Sequence, residues 1–223
     1  MKNNNFFTSG ILLSLPGLLA IIISLIAIPI HLKIAGVENY GNYIIFHFIL
    51  TISGILNFGV GKSIVISINN FPKKSGSVAY QGLKYTLVIC LLISVIFTFF
   101  NFLNSRTFEY FFQSNTIFIY FIMSTISTIF YMSLEGILQG NEKYKLLSLY
   151  NFLFYSFSLA LPSLTLIYNS ELNLDSLLFI TTLLKGLTVI AMLTLVFNNN
   201  LIEMSNDNVL LINLKKNSKW LTL

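Results

Sequence analysis

The chain has 223 residues, of which 55% are hydrophobic and only 9% charged, and its formal net charge is +5. Soluble domains carry about 25% charged residues, and the mean hydropathy of +0.79 likewise excludes an ordinary soluble domain. The basic residues are scattered without forming a stripe, which argues against a nucleic-acid partner.

The N-terminus resembles a signal peptide only superficially. Lys2 precedes an apolar run from about Phe6 to Ile30, which is longer than the apolar region of a signal peptide and is followed by no small-x-small cleavage site. We therefore interpret this run as a first membrane span.

Six segments are apolar over the roughly 20 residues that cross a bilayer. Three prolines in these segments predict kinks, which neighbouring helices tolerate by satisfying the freed carbonyls. The prolines are Pro16, Pro29 and Pro162. The predicted spans are Phe7–Ile30, Tyr43–Gly61, Tyr85–Leu103, Thr116–Leu138, Leu146–Tyr168 and Leu177–Phe197.

The lysines and arginines of the loops predict the orientation, because basic residues concentrate on the cytoplasmic side. With the N-terminus inside, ten lysines fall in cytoplasmic segments, whereas only Lys33 and Arg106 are external. We therefore predict a multi-pass protein with a cytoplasmic N-terminus. The ten are Lys2, Lys62, Lys73, Lys74, Lys84, Lys143, Lys145, Lys215, Lys216 and Lys219.

The composition of the chain changes after the sixth span, from mainly apolar residues to a mixture of polar and apolar ones. Residues 1–197 are predicted to form one six-helix membrane lobe and residues 198–223 a cytoplasmic linker. Within this linker, Leu201–Leu214 is either an interfacial amphipathic helix or an ordered connection. The last residues, with Lys215, Lys216, Lys219 and Trp220, match the approach to a seventh span. We therefore expect the chain to be a fragment of a longer protein.

Four segments carry a resemblance to polysaccharide transporters, the Wzx-type O-antigen flippases. Ile34-Ala35-Gly36-Val37-Glu38-Asn39-Tyr40-Gly41 resembles their Leu-Gly-x-Glu-x-Tyr-Gly loop. Leu56-Asn57-Phe58-Gly59-Val60-Gly61 is similar to the Leu-Asp-x-Gly-Leu end of their second helix. Leu138-Gln139-Gly140 with Tyr144-Lys145 resembles their Leu-Gln-Gly loop, and Lys219-Trp220-Leu221-Thr222 the entry to their seventh helix.

The resemblance implies an all-α, MATE-like fold in which two six-helix lobes surround a central cavity. It implies that the parent protein flips undecaprenyl-pyrophosphate-linked oligosaccharide repeat units across the bacterial plasma membrane. The resemblance also implies a transporter rather than an enzyme, with either H⁺ or Na⁺ as a candidate coupling ion. The implied partners are the lipid-linked oligosaccharide, membrane lipids, a missing C-terminal lobe and other membrane proteins of polysaccharide assembly.

Ionisable and polar residues inside spans are candidates for lining that cavity, because they are costly in a bilayer. Lys185 lies near the middle of the sixth span with Thr181 and Thr188 at helical spacing. The alternative is a lysine that pairs with another helix or reaches the interface. A second polar face runs along the fourth span and consists of Ser124, Thr128, Tyr131 and Glu135. Such hydroxyls also hold helices together.

The other spans and loops supply further candidates. Asn151, Tyr155 and Ser158 form a polar face of the fifth span, and Asn57 belongs to the second-helix motif. His47 of the second span is a proton relay or a structural histidine. Lys62 and Lys84, together with Lys73 and Lys74, are candidates for binding anionic head groups at the cytoplasmic mouth, although the orientation of the chain alone also explains these lysines.

Other chemistries are not favoured. The run Gly59-Val60-Gly61-Lys62-Ser63 lacks the earlier glycine of a nucleotide-binding loop, because position 56 is leucine. Two histidines and Cys90, the single cysteine, lie in different segments and predict no metal site. The competing functions are a MATE-type multidrug exporter lobe, an inactive remnant of a flippase gene, and an O-antigen polymerase, which would need a large external loop.

Overall fold

The computed structural model describes residues 3–103 and 114–203, and within these ranges every regular element is a helix. We number the α-helices α1 to α7. They are α1 (Asn3–Ser53), α2 (Val60–Asn70), α3 (Ser75–Leu103), α4 (Asn115–Gly140), α5 (Tyr144–Asn151), α6 (Ser158–Thr165) and α7 (Leu174–Asn198). Short 3₁₀ turns cover Gly54–Asn57 and Pro72–Lys74, and a π-helix covers Phe152–Phe157.

The predicted membrane character agrees with these helices. Four of them are long and apolar enough to cross a membrane, or five if the bent pair of Tyr144–Ser156 and Ser158–Thr165 forms one span. Large apolar side chains such as Leu25, Val95 and Phe102 are exposed along the helices. Such surfaces are stable in contact with lipid, whereas they would be costly in water. The chain is therefore an all-α protein with several candidate membrane helices.

One compact unit contains Met1–Ile49 and Lys143–Thr188. Helix α1 is broken at Gly36, whose backbone angles (φ 83°, ψ 168°) lie outside the helical region and favour glycine. The break folds the chain back, because the rings of His31 and Tyr43 are 5.2 Å apart. A continuous helix would separate residues 12 apart by about 18 Å. Ser156 of the π-helix donates to the Pro16 carbonyl at 3.2 Å and holds the first half of α1 in this unit.

The other unit contains Leu50–Glu142 and Val189–Leu223, of which residues 104–113 and 204–223 lie outside the description. Helix α2 packs against α3 and α4 through small residues. A Cβ on Gly82 would lie 2.6 Å from Ile64, and one on Gly140 would lie 2.9 Å from Ile68. Between α3 and α4, the hydroxyls of Thr86 and Ser133 are 2.7 Å apart. These glycines let the helices approach closely, as in small-residue packing of membrane helices.

The structure differs from two of the predicted spans, at the end of one and inside the other. The predicted second span, Tyr43–Gly61, stops being α-helical at Ser53, because a 3₁₀ turn follows and Phe58 and Gly59 adopt positive φ angles. The predicted fifth span is interrupted by the π-helix Phe152–Phe157. Several predicted features lie outside the described residues. These are Arg106, the loop residues 104–113 and the linker residues 204–223 with Lys215, Lys216, Lys219 and Trp220.

Candidate functional site

A cavity of about 430 Å³ opens at the junction of the 3₁₀ turn Gly54–Asn57 with helices α2 and α4. This volume lies in the range of about 300–1,000 Å³ that is usual for small-molecule sites. The cavity is lined by Gly54, Ile55, Asn57, Gly59, Gly61, Lys62, Met132, Glu135, Gly136 and Gln139. Three predicted site residues, Asn57, Lys62 and Glu135, thus line the same cavity.

The cavity exists because the chain breaks between α1 and α2. Phe58 and Gly59 adopt left-handed backbone angles (φ 49° and 68°), which end the 3₁₀ turn and redirect the chain into α2. Such angles favour glycine, and glycine also occurs at 54, 61 and 136 in the wall. Four of the ten lining residues are thus glycines, and four others carry polar side chains.

Asn57 is the most buried polar side chain of this wall. It is 4% exposed, and its Oδ1 atom is buried without a hydrogen-bond partner among the described residues. Unpaired buried polar groups cost about 1–3 kcal/mol. A carboxamide in this state is therefore suited to bind a ligand that supplies the missing hydrogen bond.

A second polar group, separate from the side chains that line the cavity, lies in the unit formed by Met1–Ile49 and Lys143–Thr188. The Tyr43 hydroxyl donates to the Leu159 carbonyl at 2.8 Å and lies 3.2 Å from the Thr181 hydroxyl. His31 Nδ1 and the Ser163 hydroxyl are 2.8 Å apart, and the His47 ring lies 4.6 Å from the Tyr43 ring. Polar side chains from α1, α6 and α7 thus form one buried group.

Lys185 belongs to the same unit and is only 7% exposed. Its Nζ atom lies 5.2 Å from the centre of the Phe154 ring, at the distance of a cation–π interaction. Phe154 belongs to the π-helix Phe152–Phe157, a type of element found frequently at functional sites. An aromatic face stabilises the ammonium only partly, so this lysine remains able to attract an anion.

The predicted polar faces of α4 and α7 lie in the protein interior. In the unit that contains Lys143–Thr188, Thr181 and Thr188 are buried like Lys185. In the other unit, Ser124, Thr128 and Tyr131 are buried along the predicted fourth-span face. The Thr181, Thr188 and Thr128 hydroxyls each donate to the carbonyl four residues earlier. Glu135 is half-buried at the cavity. That these faces meet a substrate stays a prediction.

The predicted polar face of the fifth span is divided. Asn151 is half-buried, Tyr155 is 45% exposed and Ser158 is buried. The prediction assumed 3.6 residues per turn, but Phe152–Phe157 is a π-helix with a wider turn. The side chains therefore do not share one face. Lys84 is exposed on α3 and is not among the residues that line the cavity.

Three members of the second polar group were not predicted from the sequence as site residues: His31, Tyr43 and Ser163. Their contacts follow from the fold-back at Gly36 and from the packing of α6, which contains Pro162 and Ser163, against α1. Pro162 was a usable signal, because a proline disturbs the carbonyls of the preceding helical turn and side-chain donors then satisfy them.

Metal binding has no supporting geometry in the described part of the chain. No three His, Cys, Asp or Glu side chains gather there closely enough to hold an ion. Cys90 is buried in α3 as a free thiol, in agreement with its predicted place inside an apolar segment.

Comparison with known proteins adds no assignment. No family model, no curated protein and no solved structure matches the chain.

Proposed function

We propose that this chain forms the first lobe of a transporter that moves polyprenyl-pyrophosphate-linked oligosaccharides across the bacterial plasma membrane. The supporting features are a set of long apolar helices, a polar cavity and a buried lysine. In this proposal the sugar crosses through polar space inside the protein, while the lipid tail stays in the bilayer.

One observation carries the proposal more than any other. Two separate segments resemble flippase motifs, and they lie about 80 residues apart in the chain. In the structure both contribute to the same cavity: Asn57, Gly59 and Gly61 come from the first segment and Gln139 from the second. Two motifs that were identified by similarity alone thus line the same cavity, as expected if they serve a common function.

The lobe has six spans in this proposal. The α1 segment has 51 residues, which would extend about 77 Å at 1.5 Å per residue, more than twice the roughly 30 Å of the hydrocarbon core. The break at Gly36 and the fold-back to Tyr43 divide it into two spans. The bent pair Tyr144–Ser156 and Ser158–Thr165 supplies the fifth span.

Lys185 is the proposed contact for the anionic part of the substrate. A buried ammonium is costly in a membrane, and such residues usually face a polar pathway. Here the Phe154 ring lies near the charge, and the Thr181 hydroxyl lies one turn away on the same buried face. Phosphate oxygens accept hydrogen bonds from an ammonium, and these bonds are stronger than neutral ones because both partners are charged.

The proposal is tested by deleting the coding sequence from the bacterium that carries it. Loss of transport should reduce surface polysaccharide, and the lipid-linked repeat units should accumulate in the cytoplasmic leaflet. A copy of the gene should restore the surface polymer, whereas a copy with Lys185→Met should not. Normal surface polysaccharide and no accumulation after deletion would contradict the proposal.

A further inference from the structure

The cavity beside the 3₁₀ turn Gly54–Asn57 has the lining of a site for an uncharged ligand. Its two full charges are of opposite sign, one from Lys62 and one from Glu135. Two carboxamides, Asn57 and Gln139, supply its other polar side-chain groups. A pyrophosphate, by contrast, is normally held by several cations or by a row of backbone N–H groups.

Asn57 defines what the ligand must offer. The residue is nearly fully buried, and its Oδ1 atom has no hydrogen-bond partner in the described part of the chain. A carboxamide has both acceptor and donor atoms, and their assignment to oxygen and nitrogen can be exchanged by a flip of the group. A hydroxyl group satisfies either orientation, because it also donates and accepts.

The rest of the wall suits a ring-shaped polyol. Met132 and Ile55 add apolar surface to the wall, beside the glycines at 54, 59, 61 and 136. A pyranose ring presents hydroxyls around its edge and C–H groups on its faces, so the polar and apolar parts of this wall match it. Gln139 lies in the same wall as a second carboxamide for a neighbouring hydroxyl.

We propose that this cavity binds one neutral sugar ring of the transported lipid-linked oligosaccharide, with Asn57 as the residue that selects it and with the pyrophosphate held elsewhere. This inference rests on the proposed transport function and specifies which part of the substrate the cavity takes. Asn57 and Gln139 bind the hydroxyl groups of the ring.

The test uses soluble probes, so that binding is measured apart from transport. The purified chain in detergent is mixed with a panel of methyl glycosides, including methyl glucoside, methyl galactoside and methyl N-acetylglucosaminide. Saturation-transfer NMR detects the weak binding expected of single sugars. At least one glycoside should bind, and inorganic phosphate in excess should not displace it.

Asn57→Leu should weaken this binding at least tenfold, whereas Asn70→Leu, a change at an exposed residue of α2, should leave it unchanged. The unfolding temperature serves as the folding control, and it should not fall in Asn57→Leu because the buried Oδ1 atom that is lost had no hydrogen-bond partner among the described residues. If that variant does not fold, Gln139→Leu replaces it with the same expected loss.

Three results would overturn the inference: no glycoside binds, phosphate competes with the glycoside, or Asn57→Leu and Gln139→Leu bind as the wild type does. These results leave the transport proposal standing if surface polysaccharide still depends on the gene. Conversely, sugar binding without any transport would retain the site and reject the proposed function.

Discussion

Gly61 of α2 and Gly136 of α4 are in backbone contact. A Cβ on Gly136 would overlap the carbonyl group of Gly61, and a Cβ on Gly61 would overlap the carbonyl oxygen of Met132. Both glycines also line the cavity. The close crossing of the two helices therefore forms part of the wall of the candidate site.

Gly136→Ala is expected to destabilise the protein by about 1–3 kcal/mol, because an added methyl group must push two packed backbones apart. Gly186→Ala in α7 is the matched control, since no atom lies within 4 Å of its added Cβ. The control should be neutral or slightly stabilising, as for alanine in an ordinary helix. Thermal unfolding in detergent measures both, and equal unfolding temperatures would contradict the close contact.

Tyr43→Phe is expected to lower stability by about 0.5–1.5 kcal/mol, the usual net contribution of one hydrogen bond. The change removes the hydroxyl that donates to Leu159 and contacts Thr181. Tyr168→Phe is the control, because that side chain is 93% exposed. Thermal unfolding in detergent measures both variants, and an equal loss of stability in both would show that the buried hydroxyl of Tyr43 does not stabilise the fold.

Lys185→Met is expected to keep or raise stability and to slow transport at least tenfold. Removing a buried charge relieves its desolvation cost, while the anionic part of the substrate loses its cation. Lys33→Met removes an exposed lysine and should change neither property. Unfolding temperatures and transport rates of reconstituted protein test this, and full transport by Lys185→Met would make the lysine structural.

The Gly36 break is expected to lie outside the cytoplasm and α2 to end inside it. Alkaline phosphatase folds actively only outside the cytoplasm, so a fusion after Glu38 should be active and one after Asn70 inactive. A fusion after Asn173, which precedes α7, should also be active. Inactive enzyme after Glu38 would show that α1 does not supply two spans.

The sequence predicted helical faces well where the helix is regular. Thr181, Lys185 and Thr188 are buried together because 3.6 residues per turn places them on one side. The same rule failed at Tyr155, where the π-helix Phe152–Phe157 changes the turn. Local sequence gives little sign of such a helix.

Contacts between segments that are distant in the chain could not be predicted from the spacing of polar and apolar residues. The pair of His31 with Ser163 and the approach of Gln139 to Asn57 at one cavity depend on how whole helices pack. The motif Leu56-Asn57-Phe58-Gly59-Val60-Gly61 did contain a signal, since two closely spaced glycines often accompany a backbone break. The break indeed lies at Phe58 and Gly59.

The most direct test of the account is a flipping assay in proteoliposomes. The chain is purified together with the second lobe that the proposal requires and is reconstituted with a polyprenyl-pyrophosphate oligosaccharide that carries a fluorophore on the sugar, and an impermeant quencher is added outside. The account predicts that nearly all of the fluorophore becomes quenchable, faster with the wild type than with Lys185→Met or Asn57→Leu. Quenching that stops at the outer-leaflet fraction, as in liposomes without protein, would contradict it.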